Sequence, residues 1–321
     1  MADIKKQIIN KFNEAHNVAV FTHVRPDADA IGSCSALKMV LEAQGKHVDL
    51  YCDSEISDRY NFIKYSDAFN KPTCTEYDLT VNLDCNGINR IGQYGDLFLS
   101  SHNTINIDHH ISCEPYADLN LINNVSSTGE ILFDLFAEMG VELNIDIANS
   151  LYSAIASDTG CFMHSNTTAH THEVASALFN TNFDFQRANY FLFKRKTLEQ
   201  IRLQKTALNN IKLFYGGKLA IMSLTLNDYM RCHVNENDNL GLVDQCVNID
   251  GVDVGILISE IKPNLYACSF RSKGVIDVSV LAEKFGGGGH KSASGCNIFG
   301  TLHTVITKLC RVCRKSVCRD L

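Results

Sequence analysis

Short apolar runs alternate with amphipathic stretches along the first half of the chain. Val18–Thr22 (VAVFT), His47–Cys52 (HVDLYC), Tyr77–Leu83 (YDLTVNL) and Thr104–Ile107 (TINI) have the length and branched apolar content of strands. Between and after them, Ala30–Gly45 places Ile31, Leu37, Val40 and Leu41 at helical spacing before a closing glycine. Ser127-Thr-Gly-Glu130 reads as a capping box opening a helix through Met139, and Ile147–Ser157 as a further helix reaching Asp158. Strands separated by helices predict right-handed crossovers and an α/β fold, a doubly wound, mostly parallel sheet with helices on both faces. Such sheets collect ligands at the carboxyl ends of their strands.

The stretch Asp184–Lys212 has no Gly or Pro and is rich in Lys, Arg, Leu and Gln, so it reads as a helical connector. Strand-like runs resume at Lys218 (KLAIMSL, VDVGILISEI, NLYACSF), followed by a helix over Asp277–Phe285 and the run GGGGH. The expected organisation is a domain over 1–185, a helical linker over 186–213 and a smaller α/β domain over 214–321. No window approaches the roughly 18 apolar residues of a membrane span, and the N-terminus is polar and amphipathic. Thirteen cysteines without regular spacing fit reduced thiols. The expectation is a soluble, cytoplasmic protein with no membrane partner.

Charge divides the chain. Residues 1–185 hold 25 acidic side chains against 10 basic ones, a net of −15, whereas residues 186–321 hold 19 basic against 11 acidic, a net of +8. One part suits cations and the other an anion. The overall −7 argues against coating long duplex DNA, which needs many phosphate contacts.

Candidate chemistry lies at the element ends. The first strand runs into His23-Val-Arg-Pro-Asp27-Ala-Asp29, the third into Asp84, the fourth into Asp108-His109-His110, and a helix into Asp158. Parallel strands deliver their carboxyl ends to one edge, so these groups are expected to converge. Crowded carboxylates repel unless cations intervene. Mixed His/Asp donors suit Mn²⁺ or another first-row ion, and two ions about 3.5–4 Å apart, sharing one carboxylate, activate water for attack on phosphorus. Gly286–Gly289 allow N–H groups to turn inward as an anion nest, and the run is not a Walker A loop because His290 precedes Lys291. His164, His170 and His172 are expected to cap or face solvent. Cys310, Cys313 and Cys318 lack a fourth zinc ligand.

The motifs HVRPDADAIGS, LDCNGINRIG, IDHHIS and SAIASDTG, followed by FGGGGHKSASG, resemble the successive signatures of the DHH/DHHA1 phosphoesterase family. The resemblance is greatest to its standalone oligoribonuclease (nanoRNase) and 3′-phosphoadenosine 5′-phosphate phosphatase members. It implies that His23 and Asp27 ligate one ion, that Asp29, His109 and Asp158 ligate the second, and that Asp84 bridges. It further implies that Asp108 supports the imidazoles and that His110 faces the substrate phosphate. Arg271 and His290, with Gly287, Gly288 and Gly289, would bind substrate. The implied cofactor is a pair of Mn²⁺ ions, with Mg²⁺ as the other candidate. The implied partner is short single-stranded RNA or a small nucleotide, and the oligomeric state, homodimer included, stays open. Alternatives are a phosphodiesterase for linear or cyclic dinucleotides such as pApA or c-di-AMP, and a non-catalytic nucleotide sensor. An inorganic pyrophosphatase is disfavoured by the GGGGH run.

Overall fold

The computed structural model describes residues 2–235 and 241–318, which divide into two compact units with the boundary after Arg195. The first unit begins with α1 (Ala2–Glu14), β1 (Asn17–Phe21), α2 (Ala28–Ala43), β2 (His47–Tyr51), β3 (Leu79–Leu83) and α3 (Gly95–Leu99). It continues with β4 (Thr104–Asp108), β5 (Leu119–Ile122), α4 (Thr128–Glu138), α5 (Ile145–Asp158), α6 (Ala169–Phe179) and α7 (Phe185–Asn189). Its five strands are all parallel in the order β2-β1-β3-β4-β5. Alternate residues of β1 feed different layers: Val18 and Val20 join the main core with Ile31, Leu37 and Leu151, while Ala19 and Phe21 pack with Tyr51, Ile91 and Phe98 on the other face. Burial on both faces is why these strands read as nearly unbroken apolar runs.

The chain order reverses between β1 and β3, which makes their carboxyl ends the natural crevice of the sheet. Over that crevice α2 and α5 cross closely. A Cβ on Gly32 would stand 2.4 Å from the Ser150 carbonyl oxygen, so only glycine permits this approach.

The second unit comprises α8 (Leu198–Asn209), β6 (Lys212–Phe214), β7 (Leu219–Leu224), α9 (Leu226–Cys232), α10 (Leu242–Val247) and β8 (Val254–Lys262). After these come β9 (Leu265–Ser272), α11 (Ser279–Glu283), β10 (Gly288–His290), β11 (Ala293–Phe299) and α12 (Leu302–Val317). The sheet order is β10-β11-β9-β8-β7-β6, antiparallel except between β7 and β8. Leu219 and Ile221 face a core shared with α12, whereas Ala220, Met222 and Leu224 face one shared with α8 to α10.

Three local expectations are corrected. Residues 186–213 are not one helical connector. The helix breaks at Arg195, whose backbone is extended, and both α8 and Lys212 of β6 belong to the second unit. Ser127 caps α4, but the Glu130 carboxylate does not reach back to complete a box; buried, it accepts from the hydroxyls of Ser126 and Thr171. In the glycine run, the Gly286 and Gly287 N–H groups donate to Glu283 O (3.0 Å) and Ala282 O (3.1 Å), closing α11 rather than lining a nest. Gly287 is required by packing, since its Cβ would lie 2.1 Å from Gly295 O.

Among the described residues no helix is long and apolar enough to cross a membrane. All thirteen cysteines are free, and Cys310, Cys313 and Cys318 lie on or just after α12 outside every cluster of metal-binding donors found among the described residues.

Candidate metal centre

Six of the predicted ligands meet at the carboxyl edge of the first sheet. His23 follows β1, Asp27 caps α2, Asp29 lies in its first turn, Asp84 follows β3, His109 follows β4 and Asp158 ends α5. Two groups of donors form, His23 with Asp27 and Asp84, and Asp29 with His109 and Asp158; a third, Asp84 with His109 and His110, shares a member with each. His109 Nε2 lies 3.1 Å from Asp158 Oδ2, 3.5 Å from Asp84 Oδ1 and 3.8 Å from Asp29 Oδ2. His23 Nε2 lies 3.6 Å from Asp84 Oδ2.

Backbone and hydroxyl donors aim these side chains. Asp29 accepts from Ser33 Oγ (3.0 Å), Thr128 N (2.8 Å) and Gly129 N (3.0 Å), so its charge sits against the amino end of α4. Thr128 Oγ1 also donates to Asp84 Oδ1 at 3.2 Å. Asp27 Oδ1 accepts from the N–H groups of Asp29 and Ala30, which makes this residue a helix cap and a member of the cluster at once. His23 Nδ1 stands 2.9 Å from the Val24 carbonyl oxygen; donating there leaves Nε2 to face Asp84. Arg90 brings Nη2 to 3.1 Å from the same Nδ1, and its carbonyl accepts from Val24 N, tying the first two motifs together.

The buried Asp108 organises the imidazoles. Its Oδ1 accepts from His109 N (2.8 Å), His110 N (3.3 Å) and His110 Nδ1 (2.7 Å). Burial alone would raise its pKa, but hydrogen bonds from His110, Cys113 and the backbone hold it below the usual carboxylate value. The central groups behave oppositely. Burial first, then the neighbouring Asp158 charge, pushes Asp29 up to about 7; burial with the charges of Asp29, Asp27 and Asp158 pushes Asp84 well up. Burial opposes protonation of His109, yet the adjoining carboxylates of Asp158 and Asp29 outweigh it and raise the imidazole to about 9. His109 Nε2 is buried without an aligned hydrogen-bond partner. An orphaned nitrogen ringed by crowded carboxylates fits a divalent cation, which would satisfy the nitrogen and relieve the repulsion together.

The remaining predicted residues belong to the second unit. Arg271 lies on β9, with Nε 3.3 Å from Asp244 Oδ1 and Nη1 donating to Phe270 O. The backbone of Gly288, Gly289 and His290 forms β10 against β11, while the His290 side chain lies outside the described residues. Of the other histidines, His164 packs its ring over Gly160 with Nδ1 3.2 Å from Asp158 O, His170 pairs with Asp134, and His172 stacks on Phe162. Thr128, Gly129, Ser33 and Arg90 were not singled out from sequence. Ser33 and Arg90 lie within the motifs HVRPDADAIGS and LDCNGINRIG, and Thr128 and Gly129 within the helix start Ser127-Thr-Gly-Glu130, but no motif by itself marks their hydrogen bonds to the cluster.

Residues 17–155 match the model of the DHH family, N-terminal domain, and residues 222–311 match the DHHA1 domain. The chain is 26% identical over 300 residues to the bifunctional oligoribonuclease and PAP phosphatase NrnA of Bacillus subtilis (strain 168), covering 92% of this chain and 94% of that protein. The crystal structure of an exopolyphosphatase-related protein from Bacteroides fragilis is similar with a TM-score of 0.92 and 25% identity, over 98% of this chain and 96% of that one. RecJ from Thermus thermophilus, solved in complex with Mn²⁺, shares the fold with a TM-score of 0.56 and 14% identity, over 99% of this chain and 55% of that one.

Proposed function

Because the chain belongs to the DHH/DHHA1 phosphoesterase family and carries both of its domains, we propose that it hydrolyses short oligoribonucleotides and 3′-phosphoadenosine 5′-phosphate with divalent cations, Mn²⁺ preferred. The observation that carries this reading is the convergence of His23, Asp27, Asp29, Asp84, His109 and Asp158 at one edge of the sheet, with His109 Nε2 buried and lacking an aligned hydrogen-bond partner. His23, Asp27 and Asp84 would hold one cation, Asp29, His109 and Asp158 a second, and Asp84, whose Oδ1 also lies 3.5 Å from His109 Nε2, would serve both. Cations there supply charge neutralisation and water activation for attack on phosphorus. Imidazole and carboxylate donors without a thiol support Mn²⁺ over softer ions.

The protein's own groups account for the rest. His110 Nδ1 lies 2.7 Å from Asp108 Oδ1; donation to that carboxylate would leave Nε2 to receive or deliver a proton at the phosphate, which supports this role for His110. Arg271, about a third exposed and, among the described residues, paired with the single carboxylate of Asp244 at 3.3 Å, is the proposed phosphate grip, and His290 is proposed to share it. Gripping a terminal phosphate accounts for a preference for short chains.

The test is hydrolysis of labelled RNA of two to about twenty-four nucleotides, of linear and cyclic dinucleotides and of 3′-phosphoadenosine 5′-phosphate, each with Mn²⁺ or Mg²⁺; product formation should fall by at least about 10²-fold in His109→Ala. Full activity in that variant would overturn the reading, as would binding of these nucleotides without any product.

A further inference from the structure

Away from the carboxyl edge, β2 carries a second set of metal-binding donors. His47 opens this edge strand and Asp49 follows two residues later, so both side chains leave the same face. Cys74 joins them from the segment between β2 and β3, and one donor atom of each lies within 4.8 Å of the others. Asp49 is only 5% exposed. Its Oδ2 is fixed by Tyr77 OH (2.7 Å) and by the N–H groups of Thr73 and Cys74 (both 3.0 Å), while Oδ1 accepts only the Thr73 hydroxyl, at 3.3 Å. Hydrogen-bond donors of this kind are what orient a carboxylate toward a metal.

The donor set suits zinc, which takes imidazole nitrogen, carboxylate oxygen and thiolate sulfur together. Asp49 Oδ2, 3.3 Å from His47 Nε2, is already held by three donors, which leaves Oδ1 of the same carboxylate for the cation. The Thr73 hydroxyl, 2.7 Å from His47 Nε2, can turn its proton to Asp49 Oδ1 and leave the imidazole nitrogen to the cation. Asn17 Oδ1, which accepts from the Cys74 thiol at 3.7 Å, or a water would fill a fourth position.

We infer that His47, Asp49 and Cys74 form a Zn²⁺ site separate from the hydrolytic centre, clamping the segment around residues 73–77 to the edge strand. Binding releases the Cys74 thiol proton to solvent and involves no oxidation. The site rests on its own donors and stands whether or not the proposed hydrolysis does.

The two centres are distinguishable because the carboxyl-edge groups include no thiol. Metal-stripped full-length protein titrated with Co²⁺ should develop a sulfur-to-cobalt charge-transfer band with the intensity of one thiolate ligand per chain. The near-isosteric Cys74→Ser should abolish that band and leave Mn²⁺-dependent hydrolysis unchanged. Zn²⁺ at about tenfold above its dissociation constant should slow iodoacetamide alkylation of Cys74 by roughly tenfold, read by peptide mass spectrometry, and His47→Ala should remove the protection. A band that survives in Cys74→Ser, or alkylation indifferent to Zn²⁺, would overturn the site.

Discussion

At Asp84 the backbone turns left-handed (φ 57°) to place a buried carboxylate among four others, Asp29, Asp27, Asp158 and Asp108. Both the conformation and the burial cost stability. Asn tolerates that backbone region and keeps an acceptor for Thr128 without the charge. Asp84→Asn is therefore expected to raise the melting temperature of metal-free protein while abolishing hydrolysis, as thermal melts in chelator and a product assay would show. His110 and Asp108 separate by role. His110→Ala should lower kcat by about 10²–10⁴-fold with cation binding retained, whereas Asp108→Asn should cost about 10–100-fold in activity or metal affinity by loosening both imidazoles. Titration calorimetry beside steady-state kinetics distinguishes the two outcomes. For pH the sign follows from Asp29 and His109. Asp29 titrates near 7 rather than 3.8, so the folded state holds its proton where the unfolded chain has lost it. His109, raised from 6.5 to about 9, contributes stability that is complete below 6.5 and lost as pH climbs through 9. His23 is shifted down, chiefly by burial, and opposes this only below 6.5. Metal-free protein should thus melt at a lower temperature at pH 9 than at pH 7. An equal or higher melting temperature at pH 9 would contradict the assignment.

Helices, more than loops, set the spacing of the cluster. Asp29 accepts from the first turn of α4, and Asp158 leaves the last turn of α5; the close α2–α5 crossing at Gly32 holds them near one another. Gly32→Val should force that crossing apart, costing about 1–3 kcal/mol by overpacking and weakening cation affinity in parallel, measurable by denaturant melts and by metal titration. Much at this scale was legible in the sequence. Parallel strands buried on both faces are continuous apolar runs, so where each run stops marks the edge at which His23, Asp84 and His109 appear. The short β5 was missed because its four residues are interrupted by Asn120, whose side chain is spent on the backbone of residues 116 and 117. Thr128 was invisible as a partner of Asp84 because 44 residues separate them and only the tertiary fold joins them. The glycine run misled for a related reason: β11, its packing partner, had not been identified as a strand.

For the whole molecule, the charge division seen in the sequence coincides closely with a structural one. The strongly acidic stretch lies inside the unit that gathers carboxylates, and the greater part of the basic excess lies in the unit that carries Arg271, the rest coming from Arg187, Lys194 and Arg195 at the end of the first unit. Each unit also encloses its own apolar interior, one around Phe12, Leu37 and Leu151, the other around Ile256, Phe270 and Leu309. Two interiors threaded on one polypeptide make heat absorption on unfolding a two-peaked event rather than one. Sequestering the cations with EDTA ought to drag only the earlier-encoded peak to lower temperature, so a scanning calorimeter could report occupancy of the carboxylate-gathering half without any substrate present.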